Sequence, residues 1–456
     1  MINRRLFLGG AAAVATGGSA VATTSPFSTS PDLRGSVDAV EHGMRPSAWD
    51  DQSHALQSLL DQAAKEDKPV FLPPGKYIVS NLRLPSRTRL MGIPGASRIV
   101  YGGHGFLFEA EGSEHLEMSG LVVDGANRTI SGATDALLKV AACRKLVVDN
   151  CEFVGSAASA LHLIRSAGRI ERCRITGTAG TAAIYSVDAN GLSIVNNEIA
   201  HCSNGGILVH RWKEGEDGTI VSGNRIEHIG AKNGGTGQWG NGINIFRAHS
   251  VTVANNRISD CAFSAVRSNG GNNIQILGNN CSRLGETALY SEFAFEGAMI
   301  ANNIVDGATI GVSIANYMQG GRLAVCANNL IRNLKTKGPY PAQQPGFGIG
   351  ISVEADTAVT GNVVEGAPLY GINLGWGPYL RNVAVSNNVI RRAGEGIAVT
   401  VVEGAGTATI SNNIISEARN GAIVGHHWTK PVTKDLAHLS EHPYSHLILE
   451  KNVATS

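Results

Sequence analysis

The sequence predicts an all-β chain wound as one right-handed parallel β-helix, a single-chain solenoid of about twelve rungs that opens with a capping helix. Composition, a short phrase repeated every twenty-odd residues, and a change of texture near residue 100 carry that expectation. Gly accounts for 56 of 456 residues, aromatics for 5% and charged residues for 16%, while the hydrophobic share is an ordinary 43%. A Gly-rich, charge-poor chain suits many short strands joined by tight turns. The 38 basic and 37 acidic residues nearly cancel, so there is no electrostatic footprint for nucleic acid.

The repeated phrase is V-x-[VI]-x-x-N-x-[IV], a polar turn, then G-[IV]-x-[IV], running from about residue 116 to 428. Aligned on its Asn it gives Asn150, Asn197, Asn224, Asn256, Asn280, Asn303, Asn329, Asn362, Asn388 and Asn413, with Leu121 and Cys173 standing in twice. The steps lie between 23 and 33 residues, too short for a helical pair and rich in alternating β-branched residues, so each is one turn of a solenoid. Twelve turns at ~4.8 Å make a rod about 55 Å long. Leucine-rich repeats share the period but need Leu where this chain has Ile and Val. The recurring Asn is read as structural, because Asn tolerates left-handed backbone and stacked amides can hydrogen-bond along the axis. Cys202 and Cys261, with Ile229 between them, fall in one register and predict an interior stack of thiols. The seven cysteines are spread singly, with no CxxC pair and no His at ligand spacing; neither a metal nor a cofactor is implied.

Before the repeats the texture differs. Asn3-Arg4-Arg5-Leu6-Phe7-Leu8 precedes a weakly apolar run and Ala20-Val21-Ala22, a basic start, short apolar segment and A-x-A site that predict a signal peptide over residues 1–22. It resembles the twin-arginine (Tat) consensus, which implies a Tat translocase as export partner and a periplasmic or secreted location. A Ser/Thr/Pro-rich linker is expected over 23–34, and no later stretch is apolar enough to span a membrane. After Asp50-Asp51, apolar residues at Leu56, Leu59, Leu60, Ala63 and Ala64 predict an amphipathic helix with an acidic N-terminus. The run Val70 to Val79 then predicts strand, tight turn, strand. That helix, V-F-L-P-P-G-K-Y and L-x-L-P-S-x-T-x-L-x-G together resemble the opening module of the pectate-lyase superfamily over residues 36–100. The resemblance implies a right-handed β-helix whose first rung the helix plugs. The chain as a whole resembles a group of Tat-exported repeat proteins of proteobacteria, which implies this fold and no particular reaction. The expected division is a capping module over 35–110, repeats over 111–428, and a C-terminal loop with a closing strand over 429–456.

Alternation in the G-[IV]-x-[IV] strand sends Leu208, Asn244, Arg267, Tyr290, Ser313, Ser352, Asn373, Ala398 and Val424 outward in one solvent-facing row. A second row holds His210, Phe246, Asn269, Glu292, Glu354 and His426, and just beyond it come Trp212, Arg247, Phe293, Asn316, Tyr317, Trp376 and Trp428. Insertions at 231–241, with Trp239, and at 335–347, with Tyr340, raise one edge; those at 213–218 and 429–445 raise the other. A trough of aromatic, amide and charged groups suits a polysaccharide or cell-envelope glycan, since rings stack on apolar sugar faces while amides and Arg take hydroxyls and carboxylates. Uronate β-elimination needs a group to neutralise the carboxylate, a base and an acid. Arg267, Tyr290, Glu292, Arg247 and His210 are the candidate catalytic residues; the other named aromatic, amide and ionisable groups are candidate substrate contacts. The clustered aspartates of polygalacturonase relatives, the acidic calcium ligands of pectate lyases and the Y-G-x-D-P-H signature of mannuronan epimerases do not occur on the repeats. Glu292 and Glu354 are a candidate spaced carboxylate pair. Two functions stay open: a lyase on an acidic polysaccharide, and a non-catalytic glycan-binding or structural envelope protein.

Overall fold

The computed structural model describes residues 35–131, 134–235, 237–439 and 441–455; the expected leader and linker lie outside the described residues. Each coil carries three short strands, and each strand pairs in parallel with its counterparts one coil before and one coil after. Leu116–Ser119, Val122–Asp124 and Ala136–Ala141 form one coil, and Leu146–Asp149, Glu152–Val154 and Ser159–Ile164 stack on it in register. We call the three resulting faces the first, second and third ladders. In the repeat region full coils open at residues 116, 146, 168, 192, 220, 252, 274, 296, 322, 355, 381 and 408, the twelve rungs expected, and two earlier three-stranded coils open at residues 70 and 89. The first ladder is one continuous sheet of 16 strands from Val37–Asp38 to Leu447–Glu450. Leu447–Glu450 and Val453–Thr455 add a final coil with two strands, so the solenoid winding runs on past residue 428.

The corner between first and second ladders shows what the repeated Asn does. Its buried column runs Leu121, Cys151, Cys173, Asn197, Asn224, Asn256, Asn279, Asn303, Asn329, Asn362, Asn388 and Asn413. Two expected members are thus one residue out: Asn280 and Asn150 are exposed, and Asn279 and Cys151 point in. The residue just before each buried Asn sits in the left-handed region, as at Asn302 (φ 59) and Asn328 (φ 54), where a short amide side chain is tolerated. Turn tolerance and amide stacking are therefore divided between two adjacent residues. In the stack, the Asn303 Nδ2 donates to Ile276 O at 2.9 Å and to Asn329 Oδ1 at 3.0 Å, and the Asn303 N–H donates to the same Oδ1 at 3.0 Å. The pattern repeats coil by coil to Asn413, which donates to Asn452 Oδ1 at 2.9 Å. Every amide is satisfied, which is the condition for keeping so many polar groups inside.

Around that corner the core is Ile, Val and Leu. Cys202 pairs across to Ile229 and Ile229 to Cys261, and all seven cysteines are buried free thiols. Burial pushes the Cys202 thiol up to about 11 and those of Cys281 and Cys326 up to about 12, so at neutral pH they are packing groups.

At the start, helix α1 (Ser53–Lys65) buries Leu56, Leu59, Leu60 and Ala63 in the same continuous core. Its acidic lead-in lies just outside the helix: Asp51 Oδ1 accepts from the Ser53 N–H at 2.7 Å, and no side chain caps from Gln52. The expected strand, turn and strand is a corner rather than a hairpin. Val70–Leu72 joins the first ladder against Leu90, while Gly75–Val79 joins the second against Ser97 to Tyr101.

Candidate functional site

The register of the third ladder aligns Leu208, Asn244, Arg267, Tyr290, Ser313, Ser352, Asn373, Ala398 and Val424 as one row on the outer side of the coil. His210, Phe246, Asn269 and Glu292 form the row two residues on. Both rows are less solvent-facing than expected. Leu208, His210, Asn244, Arg267, Glu292, Asn373, Ala398, Val424 and His426 are all buried. Alternation decides only which side of the coil a residue leaves from; neighbouring long side chains and inserted loops then cover it.

One part of this face stays open. A cavity of about 340 Å³ lies over coils three to six, lined by Tyr185, Leu208, His210, Asn244, Phe246, Arg267 and Asn269, with Trp212 and Trp239 as walls. Trp239 comes from the 231–241 insertion; Trp212, 63% exposed, continues its own strand, Ile207–Glu216, past the edge of the ladder. His210 bonds Asn244 Oδ1 through Nε2 at 2.8 Å, with the Tyr185 and Phe246 rings at 5.5 and 5.7 Å. Burial pulls its imidazole down to about 4, so it is neutral at physiological pH. Exposed Arg247 lays its guanidinium over Phe246 at 4.8 Å and donates to Trp212 O at 3.2 Å. One coil toward the N-terminus, His162 stacks on Tyr185 at 4.7 Å while its Nδ1 bonds Asp135 at 2.6 Å. Tyr185 and the Asp135–His162 pair escaped sequence reasoning, because their coils lack the G-[IV]-x-[IV] phrase.

Arg267 lines the cavity but is engaged by carboxylates of its own chain, with Nη1 alone left without a hydrogen bond among the described residues. Its Nε donates to Glu292 Oε1 at 2.6 Å and its Nη2 to Oε2 at 3.2 Å, while Nη1 is 3.7 Å from Glu286 Oε2. Its guanidinium lies 5.1 Å from the Tyr290 ring centroid, and Asn269 Nδ2 reaches Glu292 Oε1 at 3.4 Å. Glu286 in turn accepts from Ser264 Oγ at 3.2 Å and from the Tyr340 hydroxyl. Two carboxylates, one guanidinium and a loop tyrosine thus close on one another. Burial raises the Glu292 carboxyl despite Arg267, and burial pushes Tyr290 up to about 12. Glu286, with no place in the sequence motif, is the member that sequence reasoning missed.

Farther along, the remaining candidates form separate contacts. Glu354 Oε2 accepts the Tyr317 N–H at 2.6 Å, and burial raises its carboxyl. Glu292 and Glu354, the expected spaced pair, lie two coils apart in one row, each bound to a partner of its own. Arg381 lies 4.4 Å over the Tyr317 ring, Asn316 Oδ1 accepts the Phe293 N–H at 3.0 Å, and Asn373 Nδ2 donates to Ser352 Oγ at 3.1 Å. At the C-terminal end Trp376 meets Trp428 edge-on at 5.3 Å, above a buried Glu395–His426 pair at 2.7 Å. Among the described residues no group of three or more His, Cys, Asp or Glu side chains could hold a metal ion, and no helix is long and apolar enough to cross a membrane.

Three parallel ladders with a walled outer cavity define the class: a parallel β-helix protein. The chain belongs to the family described as "Right handed beta helix region", whose model matches residues 115–237 and 212–381, more than half of the sequence. No curated protein sequence matches it. Among solved structures it is similar to a tailspike protein variant of E. coli bacteriophage HK620 in complex with a hexasaccharide, at 12% identity over 92% of this chain and 78% of that one (TM-score 0.57). It is also similar to the catalytic unit of a GH87 alpha-1,3-glucanase from Streptomyces thermodiastaticus, at 15% identity over 92% and 69% (TM-score 0.50). An N-terminal fragment of the bacteriophage phi29 gene product 12 matches at 17% identity over 85% and 68% (TM-score 0.50). At these identities the likeness is one of fold.

Proposed function

We propose that this chain is an exported carbohydrate-active protein that holds a polysaccharide against its third ladder, centred on the cavity between Trp212 and Trp239. The observation that carries this reading is the cavity's make-up: tryptophan, tyrosine and phenylalanine walls around a few fixed polar groups, His210, Asn244 and Asn269. Flat rings take the apolar faces of sugars, and convergent amide and imidazole groups take hydroxyls. Export rests on the twin-arginine leader, and the opening module is assigned to the pectate-lyase superfamily on its sequence resemblance.

The finer reading is elimination on a uronate polymer. In it Arg247, the exposed cation at the cavity rim, neutralises the uronate carboxylate, and neutral His210 takes the C5 proton. The C4–O bond breaks as the C4=C5 double bond forms, and the Tyr185 hydroxyl protonates the leaving oxygen. Arg267, Glu292 and Tyr290 then position the cavity floor without touching the reacting atoms. The second reading, glycan binding without turnover, draws on the pairing of Arg267 with Glu292 and Glu286 rather than with an open site. Incubation with a panel of uronate and neutral polysaccharides, followed by binding and by absorbance of unsaturated products, separates the readings. Binding lost in Trp212→Ala, with product formation lost in His210→Gln and Arg247→Ala, supports a lyase. Binding without product in any combination supports the second. No binding across the panel contradicts both.

A further inference from the structure

We infer that the C-terminal half of the second ladder is an interface with a second copy of this chain. One outward column of that ladder reads Glu152, Arg174, Glu198, Arg225, Arg257 and Asn280 on successive coils. The same column then continues Ile304, Leu330, Val363, Val389, Ile414 and Val453. Each of these six aliphatic side chains is 38% to 52% exposed. Strand propensity cannot be the cause, since the six coils before them place charges and amides at the same geometric position. Single exposed aliphatics are ordinary; an unbroken row about 25 Å long at ~4.8 Å per coil is not.

The chemistry selects the partner. The row holds no aromatic ring and no hydrogen-bonding group, so it does not suit a sugar, and it lies on a different face from the cavity. The neighbouring column carries Asp306, Arg332, Glu365 and Arg391, which already pair among themselves: Arg332 with Asp306 at 2.8 Å and Arg391 with Glu365 at 3.3 Å. The four charges of this column are therefore matched within it. A straight row of equal spacing is self-complementary: a two-fold operation lays it on its own copy with aliphatic against aliphatic throughout. The middle residue of each strand points inward, so two outward columns over six coils give twelve residues, a small interface by the standard of stable dimers.

Sedimentation velocity of the purified chain across a hundredfold concentration range tests this. A species of twice the chain mass is expected, falling to the single-chain mass in Val363→Asp/Val389→Asp and in Ile304→Asp/Leu330→Asp. Ile220→Asp, equally exposed but on the first ladder, is expected to leave the dimer intact, and circular dichroism checks the fold of each variant. A wild-type chain that stays monomeric throughout overturns the inference, whether or not it co-sediments with phosphatidylglycerol vesicles. So does a dimer that survives in both folded double variants.

Discussion

The Asn corner and the third ladder are built from the same coils, yet they behave in opposite ways along the rod. At the corner, one position is filled by the same residue from Asn197 to Asn413, and every amide is bonded to the next. On the third ladder, one row passes through Leu, Asn, Arg, Tyr, Ser, Asn and Ala, and its contacts are different on every coil. In a solenoid, uniformity marks what holds coil to coil, and variation marks what the coils jointly present. The difference predicts that damage at the corner is felt as stability, and damage at the cavity mouth as binding.

The largest effect should come where a third-ladder group has become structural. Arg267→Ala strands Glu292 and Glu286 as buried charges, and breaking such a cluster costs about 3–5 kcal/mol. Urea unfolding should show that loss, while Arg267→Ala paired with Glu292→Ala recovers part of it. If Arg267→Ala leaves the unfolding midpoint unchanged, the buried pair is not what holds the cavity floor. Next is pH. The folded state holds His210 near 4 and the unfolded state near 6.5, so the unfolded chain binds more protons between those values. Stability is therefore full above about pH 6.5 and declines as pH falls toward 4, by about 3 kcal/mol from this residue. Melting temperature against pH should show that slope in the wild type and a shallower one in His210→Gln.

Asn329→Ala tests the corner itself. It removes the acceptor of the Asn303 N–H and Nδ2 and the donor to Ile300 O, leaving buried groups unpaired at about 2–3 kcal/mol. Asn328→Gly, at the left-handed position just before it, should change stability by less than about 0.5 kcal/mol. Equal effects at the two positions would remove the division of labour described for the doublet. Smallest in stability is Trp212→Ala, expected within about 0.5 kcal/mol because its ring is largely in solvent, yet expected to abolish glycan binding.

The same contrast explains what could be read in the sequence. Rung number, interior Ile and Val columns and the thiol stack were legible because each coil repeats the same physical demand. Two corner members were read one residue out, since nothing in Asn279-Asn280 says which amide turns inward and Asn150 stands just before the inward Cys151. Row membership on the third ladder was legible from alternation, so Asn244, Arg267 and Tyr290 were placed side by side. Their burial was not, because Tyr340, Trp239 and Glu286 reach the site from segments that obey no period. Those aperiodic pieces turn Arg267 from an exposed contact into a buried, carboxylate-paired part of the cavity lining.

A crystal of the chain soaked with a hexasaccharide or longer fragment of whichever polymer binds tests the account most directly. Sugar rings against Trp212 and Trp239, running along the third ladder, are the predicted result. Ordered sugar confined to the first or second ladder, with the cavity unoccupied, would contradict it.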